Sequence, residues 1–409
     1  MTQQRLHRPC WPEMVRSVEA VFGGVADQPG AVWLDGGARG WGLYSWGPAD
    51  VCTGGDWIGQ ARAWTRAGHL VIGFVGYDAA AGRDGDRRIP SVWLGRYPGA
   101  VWRRAGRWVA EGDSAFRAAA AARVASAKRL GSVPAIGPLP SLTWDEPKWA
   151  RAVRAVQQRI AEGDCYQINL ARPVIGPGSR EAFGLWRRLR RETDAARGAF
   201  LRVNADTAIL SASPERLLDV QGDVISSCPV KGTRPRGEGD AALAAALEAS
   251  PKDRAELAMI VDLVRHDLGR VSKLGSVRVG PRCVVQHSTV WHAHQRVRAR
   301  LAEGKDSWDA LSSLLPAGSV TGAPKQRVIE RIAELEGGPR GVSYGTVGWM
   351  TADAGAWSVA IRTAVVQPDA SWFHVGGGIT WGSDAAEEWV ETRAKSRALA
   401  RALLGVSEA

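Results

Sequence analysis

The stretch "SSCPVKGTRPRGEGD" (226–240) sets Lys231 after an apolar run and directly before a glycine, with Arg234 and Arg236 just beyond. Such a lysine is either a solvated charge at a strand end or an amine held for nucleophilic attack. The second use needs the neutral amine, which burial and neighbouring cations such as Arg234 and Arg236 favour. A second group lies in "FHVGGGITWGSDAAEEWVETRAKSRALARALL" (373–404), where Glu388, Glu391 and Lys395 are spaced i, i+3 and i+7. On a helix they fall within about 60° of one face. Two carboxylates one turn apart repel unless a cation lies between them. The face is therefore either a surface helix laced by a Glu391–Lys395 ion pair or an oxygen-rich site for a hard divalent metal. Magnesium suits few protein ligands plus an anionic substrate. "DRAELAMIVDLVRHDLGRV" (253–271) adds Glu256, which either completes a capping box with Asp253 or shares a stripe with Ile260 and Leu263. In the second case it is drawn inward, where a carboxylate needs a partner.

These groups need a frame. "KWARAVRAVQQRIAEGD" (148–164) carries Trp149, Val153, Val156 and Ile160 at helical spacing and stops at Gly163. "CYQINLARPVI" follows with period two, setting Tyr166, Ile168 and Leu170 on one face and Cys165, Gln167 and Asn169 on the other. The polar face either lines a pocket or meets solvent at a sheet edge. Residues 198–230 predict successive antiparallel strands with turns at Asn204–Asp206 and Gly222–Asp223, so that Lys231 follows the last of them. The C-terminal segment predicts a strand, three glycines and a helix capped near Ser383 or Asp384. Residues 1–113 are β-rich, with a buried strand in "GHLVIGFVGYDAAAG" and strands broken by Pro-Gly and Ala-Gly turns across 91–113. A helix over 114–130 and the Pro/Gly-rich "GSVPAIGPLPSL" make 114–142 a connector to a main unit spanning 143–405.

Composition narrows the function classes. The chain has 409 residues, 45 % of them hydrophobic and 23 % charged, enough for a large core. No apolar run approaches the roughly 18 residues of a membrane span, and "MTQQRLHRPCWPEMV" lacks an apolar signal core, so a cytoplasmic protein is expected. The five cysteines form no CxxC pair, which argues against zinc and against a disulfide framework. The net charge of +11 is spread along the chain. Its densest cluster, "WRRLRRETD" (186–194), fits a helix with Trp186 and Leu189 turned inward. No nucleic-acid motif accompanies it, and a preference for small anions fits the charge equally well.

Seven stretches together resemble the chorismate-utilising enzymes, which include anthranilate, aminodeoxychorismate, isochorismate and salicylate synthases. They are "GDCYQINLARP", "SASPERLL", "CPVKGTRPRG", "DRAELAMIVDLVRHDLGRV", "LLPAGSVTGAPKQRVIERIAELE", "VAIRTAVV" and "GGGITWGSDAAEEWVET", in family order over about 145–405. The first third matches weakly, mainly through "GFVGYDAAAG". The resemblance implies an α/β (α+β) fold of two packed antiparallel-rich sheets with peripheral helices, the site lying between the sheets.

The lysine of "PVKGT" resembles the aminodeoxychorismate synthase signature, where anthranilate synthases carry a small residue. The resemblance implies that Lys231 adds to C2 of chorismate as the C4 hydroxyl leaves. Ammonia then adds at C4 and expels the lysine, giving 4-amino-4-deoxychorismate. It casts Glu215 as the acid that protonates the departing hydroxyl, and Glu256, Glu388 and Glu391 as magnesium ligands. Arg362 and Lys395 become clamps on substrate carboxylates, and His292 a neighbour of the reacting ring. Thr233, Thr321, Gly376, Gly377 and Gly378 become further substrate contacts. Water-using relatives carry a lysine at the place of Gln167, and a neutral amide cannot serve as that base, so ammonia is the implied nucleophile. No Gly-x-Cys-x-Gly elbow is present, so ammonia must come from solution or from a separate glutamine amidotransferase subunit.

The chain departs from the family at Ser343, where a tyrosine is usual and Tyr344 follows, at "HAHQ" (292–295), at His266 and at Ala385. "WLDGGARGWG" (33–42) lacks the serine of the family's tryptophan site, so tryptophan feedback is not expected.

Overall fold

The computed structural model describes residues 10–11, 18–37, 41–104, 107–127, 130–131, 144–193, 195–237, 239–286 and 290–404. The Pro/Gly-rich connector expected after residue 131 lies outside the described residues. Two sheets form, one of eleven strands and one of ten among the described residues. Neighbouring strands run antiparallel throughout. The first third of the chain contributes to both. Its strand Val32–Asp35 pairs with Arg197–Arg202, and Leu70–Val75 pairs with Thr346–Met350.

The alternation of apolar side chains explains the layering. Leu34, Ile72, Phe74, Leu201, Val347 and Trp372 come from both sheets and fill the space between them. Phe22, Trp33, Phe183, Trp186, Phe200 and Leu210 form a second core, where the helices Val18–Gly23 and Ala182–Thr193 cover the eleven-stranded sheet. On the far side of the ten-stranded sheet, Leu217, Ile225, Val297 and Trp357 pack against Leu257 and Ile260 of the helix Pro251–Gly269 and Trp308 of Ser307–Leu314. Trp186 and Leu189 point inward as expected. The arginines beside them are not simply solvated: Arg187 is buried and pairs with Glu19 at 3.0 Å, and Arg190 reaches both Glu19 and Asp35. Among the described residues no helix is long and apolar enough to cross a membrane.

Three places where the chain changes sheets matter most. Val92–Tyr97 belongs to the ten-stranded sheet and Gly99–Arg104 to the other, so the break expected at Pro98–Gly99 is a crossing between sheets. Proline has no N–H to leave unpaired where the ladder is broken. Ala208–Ser213 and Arg216–Gln221 also lie in different sheets, which leaves Glu215 on a crossing. The return from Ala354–Val359 to Thr363–Val366 passes through Arg362, which adopts φ +49°.

Candidate active site

Lys231 is not at a strand end. It is the second residue of a further strand, Val230–Pro235, paired with Val290–Arg300. The register slips between Val230 and Thr233, and Gly232 sits at φ +86°, where a side chain would be strained. The bulge brings the Lys231 amine to 3.9 Å from Glu256 Oε2, with both side chains largely buried (14 % and 18 % exposed). That separation is an ion pair without a hydrogen bond. The flanking cations expected to assist are already engaged: Arg234 holds Asp253 at 2.8 Å and Arg236 holds Asp240 at 3.0 Å. Carboxylates, not arginines, surround the amine.

Glu256 is free to do this because it is not a cap. Ser250 caps the helix by accepting the Asp253 N–H at 3.2 Å, and Asp253 turns to Arg234, so the expected Asp253–Glu256 capping box does not form. Glu215 faces the same amine from the crossing between the sheets. Burial pushes its carboxyl up to about 7, against the opposing pulls of Ser319, the Lys231 charge and the Val230 backbone. A carboxyl near 7 is poised to give and regain a proton at neutral pH.

Gln167 is fully buried at the start of the strand Gln167–Pro177. Neither end of its amide has a hydrogen-bond partner among the described residues, and Asn169 Nδ2 is likewise unpartnered. The solvent-edge alternative for this face is thus excluded, and the buried Gln167 amide is a group that a polar ligand would satisfy. Tyr166 is 72 % exposed, so the apolar face starts at Ile168, not at Tyr166. It precedes the strand, and its N–H is held by Ala323 O at 2.8 Å.

The glycines make room. Ala370–Ile379 pairs along its whole length with Gln167–Pro177. A Cβ on Gly378 would collide with Gln167 Nε2 and lie 2.9 Å from Lys231 Nζ. One on Gly377 would lie 2.9 Å from Glu388 Oε2 and 3.7 Å from Lys395 Nζ, and one on Gly376 would strike Leu170 O. A strand stripped of side chains therefore separates Lys231 and Gln167 on one side from Glu388 and Lys395 on the other. Gly378 leaves room beside Lys231 and Gln167, and Gly377 beside Glu388 and Lys395.

The helix Ala385–Leu404 begins with Asp384 accepting the Ala386 and Glu387 N–H groups at 2.9 Å each. This leaves the Ser383 hydroxyl to donate to Glu388 Oε1 at 2.8 Å. Burial and the Glu391 charge both raise the Glu388 carboxyl, while the Lys395 charge lowers that of Glu391, with Lys231 and Lys252 adding to the effect. Lys395 pairs with Glu391 at 2.6 Å and donates to Gly376 O at 3.1 Å. Among the described residues no three acidic, histidine or cysteine side chains are gathered closely enough to cage a metal. The donors nevertheless suit magnesium. Glu388 Oε2 faces the empty side of Gly377, with Glu391 one turn along the same helix, and this ion commonly takes one or two carboxylates with the rest of its shell from substrate and water.

The other expected contacts are placed as follows. Thr233 Oγ1 lies 2.9 Å from His292 Nδ1, two residues along the strand from Lys231. Thr321 is buried, its hydroxyl donating to Ala317 O at 3.0 Å and its carbonyl accepting the Asn169 N–H at 2.7 Å, so it holds the strand carrying Gln167. Arg362 accepts the Ala212 N–H on its carbonyl at 2.9 Å. No hydrogen bond or ion pair among the described residues engages its guanidinium, which burial disfavours. Such a cation is suited to a substrate carboxylate.

Sequence reasoning missed the support behind the strand. Arg340 is buried and donates to Asn169 O at 2.6 Å, Val320 O at 2.8 Å and both oxygens of Glu336, with the Tyr77 and Tyr344 rings 4.5 and 4.6 Å away. Tyr344, following the anomalous Ser343, adopts φ +67° and packs there. No local pattern signals an arginine whose partners lie 20 and 171 residues distant. In the stretch lacking the tryptophan-site serine, residues 38–40 lie outside the described residues.

Comparison with known proteins fits this geometry. The chorismate binding enzyme family matches residues 49–401. The chain belongs to that family. It is 40 % identical over 263 residues to anthranilate synthase component 1 of Streptomyces coelicolor, covering 63 % of this chain and 52 % of that one. It is also 40 % identical over 268 residues to aminodeoxychorismate synthase of Streptomyces griseus, covering 64 % of this chain and 37 % of that one. The chain thus spans about half or less of the length of these relatives. The anthranilate synthase component I structure from Streptococcus pneumoniae superposes with a TM-score of 0.78 at 25 % identity, covering 88 % of this chain and 91 % of that one.

Proposed function

We propose that this chain is the chorismate-converting component of an aminodeoxychorismate synthase, making 4-amino-4-deoxychorismate from chorismate and ammonia. The observation that carries the reading is the position of the Lys231 amine, held by a bulge over the side-chain-free Gly378 between Glu215, Glu256 and Gln167.

With its proton passed to Glu256, 3.9 Å away, the Lys231 amine adds to C2 while the C4 hydroxyl leaves as water, taking its proton from Glu215, whose buried carboxyl is still substantially protonated near pH 7. Ammonia then attacks C4 as the C2–N bond breaks; the new C4 ammonium returns a proton to Glu215, and Lys231 leaves as the free amine and regains its proton from Glu256. Arg362 and Lys395 bind the substrate carboxylates, and the Gln167 amide orients the incoming ammonia. Glu388 and Glu391 would hold magnesium, which when bound would neutralise the ring carboxylate against the glutamates, while Glu256 stays with the Lys231 amine. The ammonia comes from solution or from a glutamine amidotransferase partner.

The Streptomyces coelicolor relative favours a second reading, an anthranilate synthase component. The two differ in product. Incubation with chorismate, magnesium and ammonium, followed by mass and retention analysis, should yield the 4-amino adduct. Anthranilate as the main product would overturn the reading.

A further inference from the structure

The two strands that carry Gln167 and the three glycines line a second recess farther along the same face. Trp372, His374, Gly376 and Gly378 alternate on one strand, opposite Ile175, Pro173, Ala171 and Asn169 on the other. At the Trp372–His374 level they enclose a cavity of about 180 Å³, closed by Glu336 and opening beside Arg88. Most of its wall is apolar. In volume it is close to a cavity known to take a single benzene ring.

Three features of the wall point to a ligand. His374 Nδ1 is buried and has no hydrogen-bond partner among the described residues, a cost that a bound polar group would remove. Burial, with the Arg340 charge, holds this imidazole down at about 3, Arg88 acting in the same direction and Asp86 against it. It is therefore neutral and offers either a donor or an acceptor. The Arg88 guanidinium stacks 3.9 Å from the centre of the Trp372 ring and holds Asp86 through Nε and Nη2. Among the described residues no hydrogen bond engages its Nη1, and the side chain is half-exposed. Glu336 is already satisfied by Arg340 and by the Ala171 N–H at 2.7 Å, so it presents no unpaired negative charge.

We propose that this recess binds a monocyclic aromatic acid. The ring lies against Ile175 and Trp372, a polar ring substituent bonds His374, and the carboxylate stays at the solvent end on Arg88. The site is separate from the one that holds Lys231 and does not depend on the reaction assigned there. Its wall does share Glu336 with the Arg340 network behind Gln167.

The test is binding of 4-aminobenzoate to the full chain, by calorimetry and by ligand-observed NMR, with cyclohexane carboxylate as the non-aromatic control. Expected is one site that persists in saturating chorismate, discriminates against the control, and weakens at least tenfold in both Arg88→Met and His374→Phe, the latter filling the cavity. Arg88 is half-exposed, so its variant stays informative if His374→Phe fails to fold. Binding that survives both substitutions but is lost in Arg362→Gln would assign the ligand to the catalytic cluster and overturn the proposal. So would no binding up to about 10 mM, weaker than a ring-sized ligand in a matched cavity should show.

Discussion

Replacing Glu215 by glutamine separates what the carboxyl does for the reaction from what it costs the fold. The native carboxyl titrates at about 7 against an ordinary value of 4.5, chiefly through burial. A raised native value means that folding favours the protonated form. The stabilising contribution is full below about pH 4.5 and is lost as pH rises through 7. The difference of about 2.5 pH units corresponds to about 3 kcal/mol. Glutamine keeps the shape of the protonated form and never ionises. The variant should therefore match the wild type in stability near pH 4.5 and exceed it by up to about 3 kcal/mol at pH 8.5.

For 409 residues, an unfolding entropy of about 2 cal/mol/K per residue converts that into roughly 3–4 °C in Tm. The assay is paired thermal unfolding of both proteins across pH 4.5–8.5, in which titrations common to the two cancel. Turnover should fall sharply at every pH, and the wild-type rate should decline above pH 7 as the proton is lost. Parallel Tm–pH curves for the two proteins would show that Glu215 does not carry a buried charge, and its role as the acid would fall with that result.

Lys231→Ala should abolish most aminodeoxychorismate formation while chorismate still binds, lowering kcat more than it raises KM; near-normal turnover would reduce the lysine to an ion-pair partner of Glu256. Glu388→Gln and Glu391→Gln should each lose magnesium-stimulated turnover with the fold intact, and full activity of both at limiting magnesium would remove them as ligands. Of the two, Glu388→Gln should be the better tolerated in stability, because burial already disfavours its charge whereas Glu391 loses a 2.6 Å partner in Lys395. Arg340→Met should destabilise the protein by about 3–5 kcal/mol, because Glu336 is left buried without its cation and two carbonyls lose their donor; an unchanged melting temperature would show that the network is not needed.

What the sequence disclosed and what it withheld divide along the range of the interactions. The helix at 148–164 and the glycine-strand-to-helix segment at the C-terminus rest on periodicity and caps within a few residues, and they form as read, whereas the strands from 198 form but divide between the two sheets at Glu215. Lys231 was legible as chemically unusual only through the motif around it. Its place inside a strand depends on a register slip against residues 290–294, about sixty positions away. The Asp253–Glu256 spacing satisfied a local capping rule, yet Ser250, three residues earlier than Asp253, took the role. Pro98 followed the same logic in reverse. Its turn chemistry was read correctly, but whether a turn returns a strand to its neighbour or sends it to another sheet is decided by what lies above it.

The site depends on that crossing geometry. A glutamate in mid-strand would alternate either toward the packed core or toward the covering helices, and in neither place could it meet a lysine from the opposite sheet. At residue 215 the chain is between sheets, so the carboxyl enters the inter-sheet space edge-on, near enough to Lys231 for that charge to pull its titration downward. The return through residues 360–362 runs beside it, with Val359 N–H bonded to Glu215 O at 3.2 Å. Two crossings, side by side, carry a buried acid and a cation with no hydrogen bond or ion pair to its guanidinium among the described residues. Substitutions that straighten either crossing, such as removal of the positive φ at Arg362, should therefore impair turnover before they unfold the sheets.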